Sequence, residues 1–226
     1  MAVFRLTEDI IFPSPHFANR DGLLAVGGDL SPKRLLAAYA MGIFPWYDKH
    51  SPILWWSPDP RLVIFPKDFK MSRSLKQTIK KDSFTVTMDQ NFEQVIIACA
   101  NTKRNDSDGT WITKEMTEAY ISLHKLGCAH SIETWQDGKL VGGLYGIALG
   151  GAFFGESMFT LVSNASKVAL AALIRQLIQW NFLIIDCQVR TNHLISLGAV
   201  EIKRSKFMQI LNEALKMPSL KGIWKK

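Results

Sequence analysis

A chain of 226 residues with 47% hydrophobic and 21% charged residues can bury a substantial core, in one domain or two small ones, and is not a disordered segment. A formal net charge of +7 favours an anionic partner, whether nucleic acid, membrane surface or acidic protein, without choosing among them. No apolar stretch approaches a membrane span and no basic-then-apolar leader opens the chain. Cys99, Cys128 and Cys187 form no CxxC pair, so a cytoplasmic protein with thiols as small core residues is expected. The five histidines lack metal-ligand spacing, and no metal site is expected.

Seven prolines, from Pro13 to Pro60, and the pairs Asp21-Gly22 and Gly27-Gly28 punctuate the first sixty residues. Ser31-Pro32 predicts the cap and first position of a helix through Leu35, Leu36 and Tyr39, stopped near Gly42. The aromatic runs Phe44-Pro45-Trp46-Tyr47 and Leu54-Trp55-Trp56 suit a small lobe packed on a larger one, the aromatic wall of a cleft, or both. Between Pro66 and Lys81 a helix is expected, with Met71, Leu75 and Ile79 as its apolar stripe and Arg73, Lys76, Lys80 and Lys81 as a basic face. That face is either a solvated surface or a phosphate-binding one.

Helices are predicted over residues 91–100 and 114–125, separated by a polar loop from Asn101 to Gly109. Asp137-Gly138 marks a hairpin between strands over 130–135 and 139–148, and Gly150-Gly151 turns the chain into a third strand over 152–159. Ser163-Asn164 caps a long helix to about Trp180. A strand over 182–189, a short helix near Leu194, a strand over 199–203 and a helix over 206–216 complete the chain. The order of three antiparallel strands, helix, strand, helix, strand gives an α+β fold close to the core of the GNAT acyltransferases.

Two apolar stretches carry unexpected polar residues: Phe153-Phe154-Gly155-Glu156-Ser157-Met158-Phe159 and Ile184-Ile185-Asp186-Cys187-Gln188-Val189. A carboxylate is costly to bury unless it is paired, hydrogen-bonded or at work. Strand alternation places Asp186 and Gln188 on one face and Cys187 on the other. Two interpretations stay open, a satisfied structural network or a polar reaction centre in an apolar pocket.

Seven motifs, in order, decide more. Gly27-Gly28-Asp29-Leu30, Gly42-Ile43-Phe44-Pro45-Trp46, Trp55-Trp56-Ser57-Pro58-Asp59-Pro60-Arg61, Gly109-Thr110-Trp111-Ile112-Thr113, Gly155-Glu156-Ser157-Met158-Phe159, Asn164-Ala165-Ser166-Lys167 and Asp186-Cys187-Gln188 resemble those of the leucyl/phenylalanyl-tRNA–protein transferase family. The likeness runs from about Phe12 to Met217. It implies a small N-terminal α+β domain over residues 1–62 and a GNAT-like aminoacyltransferase domain over 63–226. It also implies transfer of leucine or phenylalanine, with methionine the next candidate, from aminoacyl-tRNA to the α-amino group of proteins beginning with Arg or Lys. Such transfer marks the acceptor for N-end rule degradation. No metal or coenzyme takes part, and a monomer is expected.

The resemblance also implies roles. Asp186 and Gln188 correspond to a proton relay; Glu156 orients the substrate or binds the cationic N-terminal residue. Trp46 and Trp111 match residues that stack on the 3′-terminal adenosine, with buried packing as the alternative. By alternation and analogy Leu144, Phe153, Met158, Leu170, Leu173 and Ile185 line a donor pocket, ordinary core being the alternative. Ser157 and Thr191 join the substrate-binding set, and Arg73, Lys76, Lys80 and Lys81 bind tRNA. Two departures stand out: Thr191 where some members carry Asn, and Lys76 and Lys80 where relatives often carry Arg, which keeps charge but loses bidentate geometry. Rival readings are a CoA-dependent acetyltransferase, disfavoured because residues 160–164 contain no glycine, and a non-catalytic RNA-binding module. A peptidoglycan bridge-forming aminoacyltransferase would be longer.

Overall fold

The computed structural model describes residues 3–102 and 111–225. Most of the expected polar loop 101–109, and the first two residues of the Gly109–Thr113 motif, lie outside the described residues.

The first sixty residues hold more strand than their turn-rich composition suggests. β1 (Phe4–Leu6), β2 (Leu23–Gly27), β3 (Phe44–Pro45) and β4 (Leu54–Trp56) form a small sheet of order β1-β2-β4-β3, flanked by α1 (Pro32–Ala40). Ser31 caps α1, accepting from the Arg34 N–H at 3.4 Å. Arg34 is fully buried because its guanidinium is satisfied. It donates to the carbonyls of Thr7, Glu8 and Asp9 at 2.9–3.1 Å and pairs with Asp29 at 3.1 Å, tying the first strand to the helix.

The second sheet has seven strands: β5 (Arg61–Ile64), β6 (Thr85–Met88), β7 (Ala129–Gln136), β8 (Lys139–Leu149), β9 (Ala152–Thr160), β10 (Ile184–Gln188) and β11 (Val200–Ile202), in the order β11-β5-β10-β9-β8-β7-β6. The predicted hairpin is β7–β8, and Asp137 and Gly138 take the positive φ values, 51° and 72°, that a two-residue turn demands. After the crossover through α5 (Ala165–Gln179), β10 runs parallel to β9. This meander, helix and parallel strand follow the expected order of elements. The sequence order does not reveal that β5, from over a hundred residues upstream, inserts between β10 and β11 and runs antiparallel to both.

Two cores lie on opposite faces of this sheet. One joins the N-terminal sheet to α3 (Phe92–Ala100), α4 (Lys114–Lys125) and α7 (Arg204–Ala214); the other holds α5, α2 (Arg73–Lys80) and the residues flanking α6 (Asn192–Ser196). Gly142 lets the first turn of α5 lie directly on β8, since a Cβ there would sit 2.5 Å from the Ala165 methyl. The expected helix over 66–81 is shorter: Pro66–Asp68 is a single 3-10 turn, and α2 starts after the Ser72 cap. Of its predicted apolar stripe only Leu75 is buried, while Met71 and Ile79 are exposed. All three cysteines are buried and free. Among the described residues no helix is long and apolar enough to cross a membrane.

Candidate functional site

Every residue of β10 is buried, so its polar groups need partners. Ile185 and Cys187 face the α5 side. Asp186 faces the other way, where both its oxygens take a fork from Arg61 on β5: Nε to Oδ1 at 2.7 Å and Nη2 to Oδ2 at 2.6 Å. Neither side chain is exposed, and the guanidinium lies between the rings of Phe44 (4.8 Å) and Phe207 (4.6 Å). Arg61 stands in a motif quoted above, but nothing in its local pattern names a partner 125 residues away.

The strand is irregular at the next polar residue. The register slips between Asp186 and Gln188, and Gln188 adopts φ +57°. At this bulge Gln188 borders a cavity lined from both faces of the sheet, by Phe153 and Leu170 on one side and Phe44 and Tyr145 on the other. Asp186 still holds the bulge, accepting the Gln188 backbone N–H at 3.0 Å on Oδ1. The Gln188 side-chain amide donates to Glu156 Oε1 at 3.2 Å.

Glu156, on β9, is the convergence point. Tyr39 from α1 donates to Oε1 and Tyr120 from α4 to Oε2, each at 2.8 Å, and the two phenol oxygens are 2.5 Å apart. Burial raises the Glu156 pKa to about 7, against the tyrosine hydrogen bonds and with the help of the Asp186 charge. The same burial, with the Glu156 charge, lifts both phenols well above their usual range. Sequence reasoning missed both tyrosines. They arrive from separate helices, and only the fold brings them to one carboxyl.

The cavity has a volume of about 570 Å³, and all ten residues expected to contact substrate border it. Leu144, Phe153, Met158, Leu170, Leu173 and Ile185 make its apolar part; Trp46 and Trp111 stand at its border with Ser157 and Thr191. Trp46 is 42% exposed and meets Trp56 edge-on at 5.8 Å, leaving ring surface open. Cys187 and Val189 also border the cavity, as do Ser166 and His193. Burial, with the Asp186 charge, pushes the Cys187 thiol above the usual thiol range, which disfavours its thiolate. Arg73, Lys76, Lys80 and Lys81 lie outside the cavity, on the exposed surface of α2 and its C-terminal cap. Among the described residues no group of three or more His, Cys, Asp or Glu could hold a metal ion.

A glutamate near neutrality beside an apolar cavity suits proton transfer next to a bound apolar group, a geometry open to several enzyme classes. Comparison with known proteins selects one. The family model described as leucyl/phenylalanyl-tRNA protein transferase matches residues 63–212, and the model of that family's N-terminal domain matches residues 28–59. The chain belongs to the leucyl/phenylalanyl-tRNA protein transferase family. A relative so named from Thermodesulfovibrio yellowstonii is 58% identical over 99% of this chain and 91% of its own. Another, from Desulforapulum autotrophicum, is 54% identical over 99% and 98%. A solved GCN5-related N-acetyltransferase from Kribbella flavida overlays with a TM-score of 0.38 at 12% identity, covering 75% of this chain and 60% of its own. Family membership makes this chain an aminoacyltransferase.

Proposed function

We propose that the enzyme moves leucine or phenylalanine from aminoacyl-tRNA to the α-amino group of proteins beginning with Arg or Lys, with Glu156 as the proton acceptor. The observation that carries this reading is the Glu156 carboxyl, near pKa 7, held by two tyrosines and an amide on the border of an apolar cavity.

The chemistry needs little driving force. The aminoacyl ester is activated, and an α-amine of pKa about 7.7–8.0 is neutral in roughly a tenth of molecules at pH 7. The main tasks are to align amine and ester and to remove a proton. The donor's side chain fills the apolar cavity, which rejects smaller side chains by ~1–3 kcal/mol per missing methylene. The amine attacks the ester carbonyl, forming the C–N bond as Glu156 takes its proton. The C–O bond to the terminal ribose then breaks, and the proton leaves with the ribose oxygen. The Gln188 side-chain oxygen, without a partner among the described residues, accepts a second N–H of the amine. Asp186 acts one step removed: paired with Arg61, it positions the bulge that aims Gln188.

Trp46 and Trp111 stack on the terminal adenosine, and Arg73, Lys76, Lys80 and Lys81 hold the tRNA backbone. We assign residues 1–62 and 63–226 to two domains, in keeping with the extents of the two family models. The enzyme works as a monomer in the cytoplasm, and its product enters N-end rule degradation. Labelled leucine should pass from leucyl-tRNA to a peptide with N-terminal Arg and not to one with N-terminal Asp. Equal labelling of both, or none, contradicts this assignment.

A further inference from the structure

The rim of the cavity at the start of α5 is built for a negative charge. Its first turn holds no acidic residue and no side-chain cap; Asn164, expected as the cap, is left-handed and turns its amide to Thr78 of α2, 3.2 Å away. The Ser166 N–H reaches Thr160 Oγ1 only at 3.5 Å, and that of Lys167 has no partner among the described residues. A helix N-terminus disfavours a nearby cation, yet Lys167 sits in this turn.

Three side chains gather here. Ser166 borders the cavity, is 5% exposed, and its hydroxyl has no hydrogen-bond partner among the described residues. The hydroxyl is not itself a buried atom left without a partner: it is open to the cavity, where a ligand can accept from it. His193 of α6 borders the cavity too, and burial together with the Lys167 charge lowers its pKa. No carboxylate pairs with Lys167 or His193 among the described residues.

We propose that the first turn of α5, with the Ser166 hydroxyl, the Lys167 ammonium and the His193 ring, is an anion subsite for the phosphodiester on the 5′ side of the donor's terminal nucleoside. This rests on the aminoacyl-tRNA reading above. Placement favours a nucleic-acid phosphate over a free anion. The Asn164–Thr78 contact joins this turn to α2, whose exposed Arg73, Lys76 and Lys80, followed by Lys81, continue the positive surface outward. One strand can thus run from the basic helix to the cavity, each phosphate meeting a cation. Below Ser166 the same helix face turns apolar at Leu170 and Leu173, where the aminoacyl side chain lies.

The test is competition against leucyl-tRNA by adenosine, adenosine 5′-monophosphate and inorganic phosphate. The monophosphate should inhibit about tenfold more tightly than adenosine, the gain of one charge-assisted phosphate contact. Inorganic phosphate should be far weaker than either. Ser166→Ala and Lys167→Met should shrink the monophosphate's advantage to about twofold while leaving adenosine inhibition unchanged, and Lys167→Arg should restore it. Ser166→Ala removes an unpartnered group and Lys167 is only half-buried, so circular dichroism should report intact folds. Equal inhibition by adenosine and its monophosphate, an advantage undiminished in both variants, or phosphate as potent as the nucleotide would each overturn the subsite. Absence of any leucyl transfer by the wild type would instead overturn the functional reading beneath it.

Discussion

The hydroxyls of Tyr39 and Tyr120 lie 2.5 Å apart, and each also reaches one oxygen of Glu156 at 2.8 Å. Three close contacts join these three groups, but two phenols supply only two protons. A third proton, on the carboxyl, lets every contact be a hydrogen bond. The geometry therefore favours a protonated Glu156, in agreement with its raised pKa of about 7. In its ionised form, populated near neutral pH, the carboxylate takes up a proton that completes this ring of contacts, which is what an attacking amine requires.

Glu156→Gln should stabilise the protein at high pH. A carboxyl whose folded pKa lies above its unfolded value binds more protons when folded, so its contribution falls as pH rises from about 4.5 to about 7. Glutamine mimics the neutral acid throughout. Thermal unfolding should show the variant more stable by ~1–3 kcal/mol at pH 8, with the difference gone below about pH 4.5. A variant less stable at pH 8 would contradict the raised pKa.

Tyr39→Phe and Tyr120→Phe each remove a donor that lowers the Glu156 pKa. The pKa should move further up, by about one unit, carrying the acid limb of the rate profile with it. An unmoved limb would detach the tyrosines from the carboxyl's basicity.

Asp186→Asn leaves Arg61 charged and unpaired in the interior, where its Nη1 already has no partner among the described residues. Breaking such a pair costs about 3–5 kcal/mol, whereas Arg61→Met combined with Asp186→Asn should be less destabilised than Asp186→Asn alone. Denaturant titration of the single and double variants decides. A stable Asp186→Asn with lost turnover would return Asp186 to a direct chemical role.

Trp224 should be worth as much as a core residue despite lying two residues from the C-terminus. Its indole stacks on His130 at 3.7 Å, packs edge-on against Trp180 and Phe182, and donates from the ring N–H to the Leu220 carbonyl at 3.1 Å. Trp224→Ala should cost about 3–5 kcal/mol, read as a drop in melting temperature. Phe153, 6.0 Å from the same indole, borders the cavity proposed to take the donor side chain, so discrimination between leucine and phenylalanine should weaken as well.

What the sequence made legible follows from how locally each feature is encoded. The β7–β8 turn, the α1 cap and the α4 bounds rest on residues within a few positions of one another. The apolar lining was legible because strand and helix periods sort Phe153, Ile185, Leu170 and Leu173 onto single faces. The insertion of β5 was not, since no local pattern specifies pairing between Arg61–Ile64 and residues over a hundred positions on. Nor was the bulge at Gln188, where a non-glycine residue takes a positive φ and the register with β5 shifts. Tyr39 and Tyr120 look like ordinary buried aromatics until the fold carries their hydroxyls to Glu156.

The pH dependence of single-turnover leucyl transfer tests the central claim most directly. If Glu156 must be deprotonated and the acceptor amine neutral, log kcat/KM should rise below about pH 6.5 with a slope approaching two. Glu156→Gln should retain a slower reaction with a slope of about one, set by the amine alone. Equal slopes in wild type and variant would show that Glu156 does not take the proton.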